Sequence, residues 1–165
     1  MTTDVVLVRY DELALKSNRV RARYEQALVK NLKAMLYADG SSYSEISKEM
    51  GRVFIHTEDP GALKSAVKVF GVVSASPAYT CEPTLESAAK LCAEVAGSIM
   101  KEGQSFAIRA RRAGNHDFTS RDIGVVCGDA VFQQMNKNIT VDLDNPDIEI
   151  FVEIRQKWRM SLRNR

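Results

Sequence analysis

Between Asn18 and Ala38 the apolar residues fall on one face of a helix. Val20, Tyr24, Ala27, Leu28, Leu32, Met35 and Leu36 recur at steps of three and four, the spacing of an amphipathic helix. Asn18 is the expected N-cap and Gly40 the expected stop. On both sides the period changes. Asp4–Tyr10 (DVVLVRY) is a β-rich run, and Tyr43–Thr57 divides into two short strands around Met50-Gly51. Pro60–Gly71 reads as a short helix, with proline near its first turn and glycine after its end. Val72–Cys81 reads as a strand in which Pro77 implies an edge or a bulge.

That order, β-α-β-β-α-β, is the ferredoxin-like pattern, and it uses about half of the 165 residues. A second unit follows. Thr84 is placed to cap a helix reaching Met100, with Leu85, Ala88, Cys92, Val95, Ala96 and Ile99 on one face. Ser105–Arg112 is a strand in which Phe106, Ile108 and Ala110 alternate with Arg109 and Arg111. Thr119–Met135 is a helix with the stripe Ile123, Val126, Cys127, Ala130 and Val131. Strands are expected over Ile139–Leu143, Ile148–Arg155 and Lys157–Arg163. The fold class is therefore α/β (α+β), with a ferredoxin-like domain at 1–82 and a second small α/β domain at 83–165, divided at Glu82-Pro83.

The apolar fraction of 45% suits a globular core. No apolar stretch approaches the roughly 20 residues that span a bilayer, and MTTDVVLVRYDE does not read as a signal peptide. The expected location is the cytoplasm, with no membrane partner. Cys81, Cys92 and Cys127 form no CxxC pair, which argues against a disulfide framework or a zinc knuckle; Cys92 and Cys127 fall on apolar helix stripes and read as core. No GxxxxGK[ST], GxGxxG after a strand or HExxH occurs. No catalytic and no metal-ligating residue is expected, and the chain reads as a binder. Its net charge is only +2, but the charge is local. Arg155, Lys157, Arg159, Arg163 and Arg165 lie beyond the last acid, Glu153, and without them the remainder is net negative.

The densest positive feature is Arg109, Arg111 and Arg112 at the end of a strand, followed by a polar loop and Thr119-Ser120-Arg121-Asp122 at a helix start. Thr119 and Asp122 have capping-box spacing. A helix N-terminus favours an anion, and arginine presents a fork that matches phosphate oxygens. Two readings stay open here: a site for phosphate or nucleic-acid backbone, or a solvated face paired with nearby acids. Asn115 and Asp117 read as turn residues and His116 as an exposed loop histidine. A second basic set, Arg9, Lys16, Arg19, Arg21, Arg23, Lys30 and Lys33, lies in the first half, and on charge alone it reads as a solvated helix face.

SFAIRARRAGNHDFTSRDIGVVCGDAVFQQM (105–135) and VDLDNPDIEIFVEI (141–154) resemble the THUMP domain of RNA-modifying enzymes. The shared features are the strand ending in arginines, the F-T-S helix entry, Gly128, and the NPD hairpin. VRYDELALKSNRVRARYEQALVKNLKAML (8–36) resembles the N-terminal ferredoxin-like domain of tRNA 4-thiouridine synthetases, a sulfurtransferase family also linked to thiamine biosynthesis. Asp11 and Ser17 stand where that family has glycine. The resemblance implies a tRNA-binding module for the acceptor stem and 3′ CCA end. Arg109, Arg111, Arg112 and Arg121 would meet phosphates; Asn115, His116, Phe118 and Ser120 would line the loop facing the 3′ end; Lys16, Arg19 and Arg23 would extend the grip. The family's ATP pyrophosphatase-type domain, with its SGGxDS loop, is expected to be missing from this chain. No cofactor is then expected here, since ATP and magnesium would serve that domain. The partners implied are tRNA and either a catalytic protein chain or a second copy. One rival is an adaptor for another RNA-modifying enzyme or a protein partner. The other is a small acyl- or phosphoryl-transfer enzyme, for which no residue set presents itself.

Overall fold

The computed structural model describes residues 4–11, 17–49, 51–112, 116–136, 138–154 and 158–164. The chain divides into two compact units between Ala78 and Tyr79. In the first unit β1 (Val5–Tyr10), α1 (Asn18–Ala38), β2 (Glu45–Glu49), β3 (Arg52–His56), α2 (Gly61–Ala66) and β4 (Val72–Cys81) follow in order. The strands run β2-β3-β1-β4, every neighbouring pair antiparallel. This is the split arrangement expected from the β-α-β-β-α-β order.

Alternation along β1 sends Val6, Val8 and Tyr10 to the helix side, where they meet Leu28, Leu32 and Leu36 of α1 and Val53 and Ile55 of β3. Val5 and Leu7 point the other way and are buried with Phe54 and Ala78. The α1 stripe thus packs as its period requires at Tyr24, Leu28, Leu32, Met35 and Leu36, whereas Val20 in the first turn and Ala27 at the edge of the stripe are exposed. Ser17, not Asn18, is the N-cap: its extended backbone (φ −142°, ψ 155°) lets its side chain accept from the Val20 N–H, while Asn18 is already helical. The helix ends at Asp39, and Gly40 takes φ +69°. Glu49 pairs with Arg52 across a two-residue hairpin turn that uses Gly51 at φ +82°. Pro77 lies opposite Val6; the irregularity of that ladder falls instead between Arg9 and Tyr10.

The second unit contains α3 (Leu85–Ile99), β5 (Ser105–Arg112), α4 (Ser120–Gln134), β6 (Thr140–Val141), β7 (Ile148–Ile154) and β8 (Trp158–Asn164). Its strands run β8-β7-β5-β6. β5 is parallel to both β7 and β6, and β8 returns antiparallel to β7. Thr84 and Thr119 are the N-caps of α3 and α4, as their spacing predicted. Both helices lie on the face carrying Phe106, Ile148, Ile150, Val152 and Ile154. β6 is shorter than expected because Asp142 turns the chain: its carboxylate accepts from the N–H groups of Asp144 and Asn145, each at 2.9 Å. Cys92 and Cys127 are buried in this core, as expected, with Cys81 packed partly against it. The Cys127 thiol and then burial push the Cys92 thiol far up, so it stays protonated and acts as a small apolar group. Among the described residues no helix is long and apolar enough to cross a membrane, and no group of His, Cys, Asp and Glu is arranged to hold a metal ion.

At Gly71 a side chain has no room. It takes φ +92°, and an added Cβ would stand 2.2 Å from the Tyr24 hydroxyl. That hydroxyl donates to the Gly71 carbonyl at 3.3 Å, and the Tyr24 ring packs on Tyr10 at 5.7 Å, so the phenol cannot swing aside freely. Gly40→Ala meets open space and should cost about 1 kcal/mol for its backbone alone. Gly71→Ala should cost about 3 kcal/mol, with part recovered when Tyr24→Phe is added. Urea unfolding of the single and double variants measures both.

Candidate nucleic-acid interface

Strand parity divides the arginines of β5. Arg109 and Arg111 share the face of Ala107, away from α3 and α4; Arg112 shares the face of Ile108 and Ala110, which packs toward those helices. They have different jobs as a result.

Arg109 is committed to the protein. Its Nε donates to Glu149 Oε1 at 2.9 Å and its Nη2 to the Leu143 carbonyl at 2.7 Å. One side chain thus ties β5 to β7 and to the segment following β6. This is the pairing alternative left open for the cluster, and it takes Arg109 out of the set offered to phosphate. Arg112 is also in use: its Nη1 donates to the carbonyls of His116 and Phe118 at 3.1 and 3.0 Å. It shapes the loop entering α4, while the rest of its guanidinium faces solvent. Arg111 is exposed and, among the described residues, makes no hydrogen bond or ion pair. Arg121, in the first turn of α4, is likewise exposed.

The loop held by Arg112 carries a stacked pair. The rings of His116 and Phe118 lie 5.4 Å apart, 18° from parallel, and Phe118 also packs against the core. Thr119 then starts α4 with a complete capping box. Its hydroxyl accepts from the Asp122 N–H at 3.2 Å, and the Asp122 carboxylate accepts from the Thr119 N–H at 2.7 Å. The Thr119 N–H, its hydroxyl and the nearby Arg121 charge hold the Asp122 carboxyl below its ordinary value of 3.8. A carboxylate of the protein's own therefore already occupies part of the anion position at this helix start.

Beside α4 a groove of about 690 Å³ opens over the sheet. Its floor is Phe106, Ile108 and Ala110; Val125 and Phe132 of α4 form one wall, and Val141 and Leu143 the other. Ser120, Arg121 and Asp129 bring polar groups to it. Gly124 and Gly128, one turn apart, also line it, and an added Cβ at either would meet nothing within 4 Å. The groove owes part of its depth to those missing side chains.

Residues 5–76 match the ThiI ferredoxin-like domain family, and residues 82–160 match the THUMP domain family. The chain is a ThiI-type ferredoxin-like domain followed by a THUMP domain. It is 54% identical to a probable tRNA sulfurtransferase of Methanosarcina acetivorans over 93% of this chain and 38% of that one. A probable tRNA sulfurtransferase of Methanobrevibacter smithii is 40% identical over 94% of this chain and 40% of its own length. The chain thus spans about two fifths of the curated relatives it matches. Among solved structures, PH1313 from Pyrococcus horikoshii superimposes with a TM-score of 0.85 at 33% identity, covering 97% of this chain and 54% of that one. A 4-thiouridine synthetase solved as an RNA complex with bound ATP superimposes with a TM-score of 0.77 at 21% identity, covering 97% and 40%. The last comparison shows that the fold is shared.

The THUMP unit therefore brings together Arg112, His116, Phe118, Ser120 and Arg121 around the start of α4, and turns Arg109 and Arg111 to the other face of β5. Arg19 and Arg23 of the ferredoxin-like unit are exposed on α1, four residues apart. Lys16 and Asn115, named above as candidates, lie outside the described residues. Sequence reasoning missed the groove. Its signal was two glycines four apart in a helix, beside strand residues too apolar to stand in water.

Arg109→Ala should lower stability by about 1–2 kcal/mol through the loss of its two acceptors. Arg111→Ala should change it by less than about 0.5 kcal/mol. Denaturant unfolding of the two variants separates the structural arginine from the exposed one. The Asp122 carboxylate, depressed in the folded state, contributes stability above its unfolded value of 3.8 and loses it as pH falls through the folded value. The stability gap between wild type and Asp122→Asn should accordingly be widest near neutral pH and shrink below about pH 4, as read from unfolding curves across that range.

Proposed function

We propose that this chain is the tRNA-binding part of a tRNA sulfurtransferase that makes 4-thiouridine, gripping the acceptor stem and the 3′ CCA end. The observation that carries this reading is the 54% identity over 93% of the chain with a probable tRNA sulfurtransferase. The catalytic pyrophosphatase domain would belong to the part of such an enzyme that this chain does not span, and with it the ATP and magnesium chemistry. The enzyme would work in the cytoplasm, where its substrate is, and would share the family's link to thiamine biosynthesis.

The geometry supports a division of labour within the THUMP unit. Exposed Arg111 and Arg121 would contact backbone phosphates, with Ser120 adding a hydroxyl donor. Arg112 would hold the loop and offer its outer nitrogens. The stacked His116–Phe118 pair and the apolar groove beside α4 would receive unstacked bases at the 3′ end, since single-stranded RNA is read by stacking and base edges. Asn115 would join that loop, and Lys16, Arg19 and Arg23 would contact phosphates from the ferredoxin-like unit.

Binding of this chain to whole tRNA, and to the same tRNA without its CCA end, tests the reading. Affinity should fall steeply with salt and should drop when CCA is removed. Arg111→Ala and Arg121→Ala should each weaken binding and reduce the salt slope by about one. A flat salt dependence, or equal affinity for both tRNAs, overturns the acceptor-end reading and favours an adaptor whose apolar groove meets a protein.

A further inference from the structure

The groove beside α4 has a direction. Its helix wall is one stripe, Arg121, Gly124, Val125, Gly128, Asp129 and Phe132, whose members recur at steps of three and four. Among the described residues that line the groove, Arg121 is the one cation and Asp129 the one acid. They stand two turns apart in the same helix, roughly 12 Å along its axis. Ser120 joins Arg121 at the first end, and only Val125 and the two glycines line this wall between the charges.

Several carboxylates of this unit bond to the protein itself. Asp122 closes the capping box, Asp142 holds the turn after β6, and Glu149 holds Arg109. Asp147 accepts from the Ser105 N–H at 2.8 Å. Asp129 has no such task. It is exposed and makes no hydrogen bond or ion pair among the described residues. It also lies beyond the first turn of α4, too far along to cap the helix or to gain much from its dipole. A surface that binds RNA thus carries, inside its groove, a carboxylate that repels phosphate.

That repulsion orients the ligand. A phosphate is attracted at Arg121 and Ser120 and repelled at Asp129, so a nucleotide enters in one sense, with its base toward Asp129. An ionised carboxylate accepts hydrogen bonds and donates none. The amino groups of cytosine and adenine are donors, whereas uracil presents a carbonyl where cytosine has its amino group. We infer that Asp129 is a base-selecting residue: its carboxylate accepts from the exocyclic amino group of a cytosine or adenine in a single-stranded RNA 3′ end, while Arg121 and Ser120 hold the adjoining phosphate. The inference rests on the RNA-binding reading above and deepens it, from a groove that receives bases to one that chooses among them. A CCA end carries an amino group on every base. An apolar protein segment is the poorer occupant, because it would strip water from Asp129 without supplying a donor.

The experiment uses the whole chain and labelled acceptor-stem hairpins that differ only in their single-stranded 3′ end: CCA, UUA, CCI (inosine for adenosine), or none. Fluorescence anisotropy gives each affinity. Wild type should bind CCA about tenfold more tightly than whichever of UUA and CCI lacks the amino group that Asp129 meets. Asp129→Asn should bring that ratio close to one, because a carboxamide can accept from an amino group or donate to a carbonyl. Glu94→Gln, which removes an exposed acid of α3, should shift all affinities together and keep the ratio. Gly128→Leu, whose Cβ meets nothing within 4 Å, should fill the groove, weaken the hairpins with a single-stranded end and leave the bare hairpin unchanged. Circular dichroism should show these variants folded as wild type. Equal wild-type affinity for CCA, UUA and CCI, all tighter than the bare hairpin, sinks this inference and leaves the proposed function standing. An Asp129→Asn variant that keeps the wild-type ratio does the same. Unchanged RNA binding in Gly128→Leu overturns it in favour of a protein contact at the groove. Wild type that binds all four hairpins alike removes both readings.

Discussion

Strand β5 lies between two parallel neighbours, and that placement decides what its charges can do. Its edge toward β7 is paired from Phe106 to Arg112 and its other edge meets β6 only at Ser105 and Phe106, so along the arginines it is the alternation of side chains between two faces that distributes function. Period two sends Arg109 and Arg111 to one face and Arg112 to the other. The parallel register brings Glu149 of β7 opposite Ala107, one diagonal step from Arg109, and the ion pair follows from that geometry. Four residues that look like one basic cluster in the sequence, Arg109, Arg111, Arg112 and Arg121, thus become a strut, an exposed charge, a loop clamp and a groove-side charge.

The regular elements were legible because their signals are local. The stripe of α1, the threonine caps of α3 and α4, and the turn at Gly51 depend on residues within a few positions of one another, and the structure has them where the spacing put them. The displaced α1 cap shows the limit. Ser17 and Asn18 are both good capping residues, and only backbone conformation decides between them. Strand β6 shows another: β-branched residues at Ile139–Val141 favour a strand, but Asp142 captures two backbone N–H groups and ends it early.

The candidate site was legible only in part, and for a physical reason. Arg109 and Glu149 are 40 positions apart, so their pairing is a product of sheet register that no local pattern reports. The groove beside α4 is made partly of what is missing, the side chains at Gly124 and Gly128.

The two glycines of α4 carry a further consequence. Each removes a contact and adds backbone freedom, and in a helix interior each costs about 1 kcal/mol relative to alanine. The helix that walls the groove is therefore weak by its own composition and depends on the box at its first turn and on Ile123, Cys127 and Val131 beneath it. Depth of the groove and rigidity of its wall are set by the same two positions and move in opposite directions. A chain that filled them would gain a stiffer helix and a shallower surface. A chain that keeps them accepts a less rigid wall and a deeper surface.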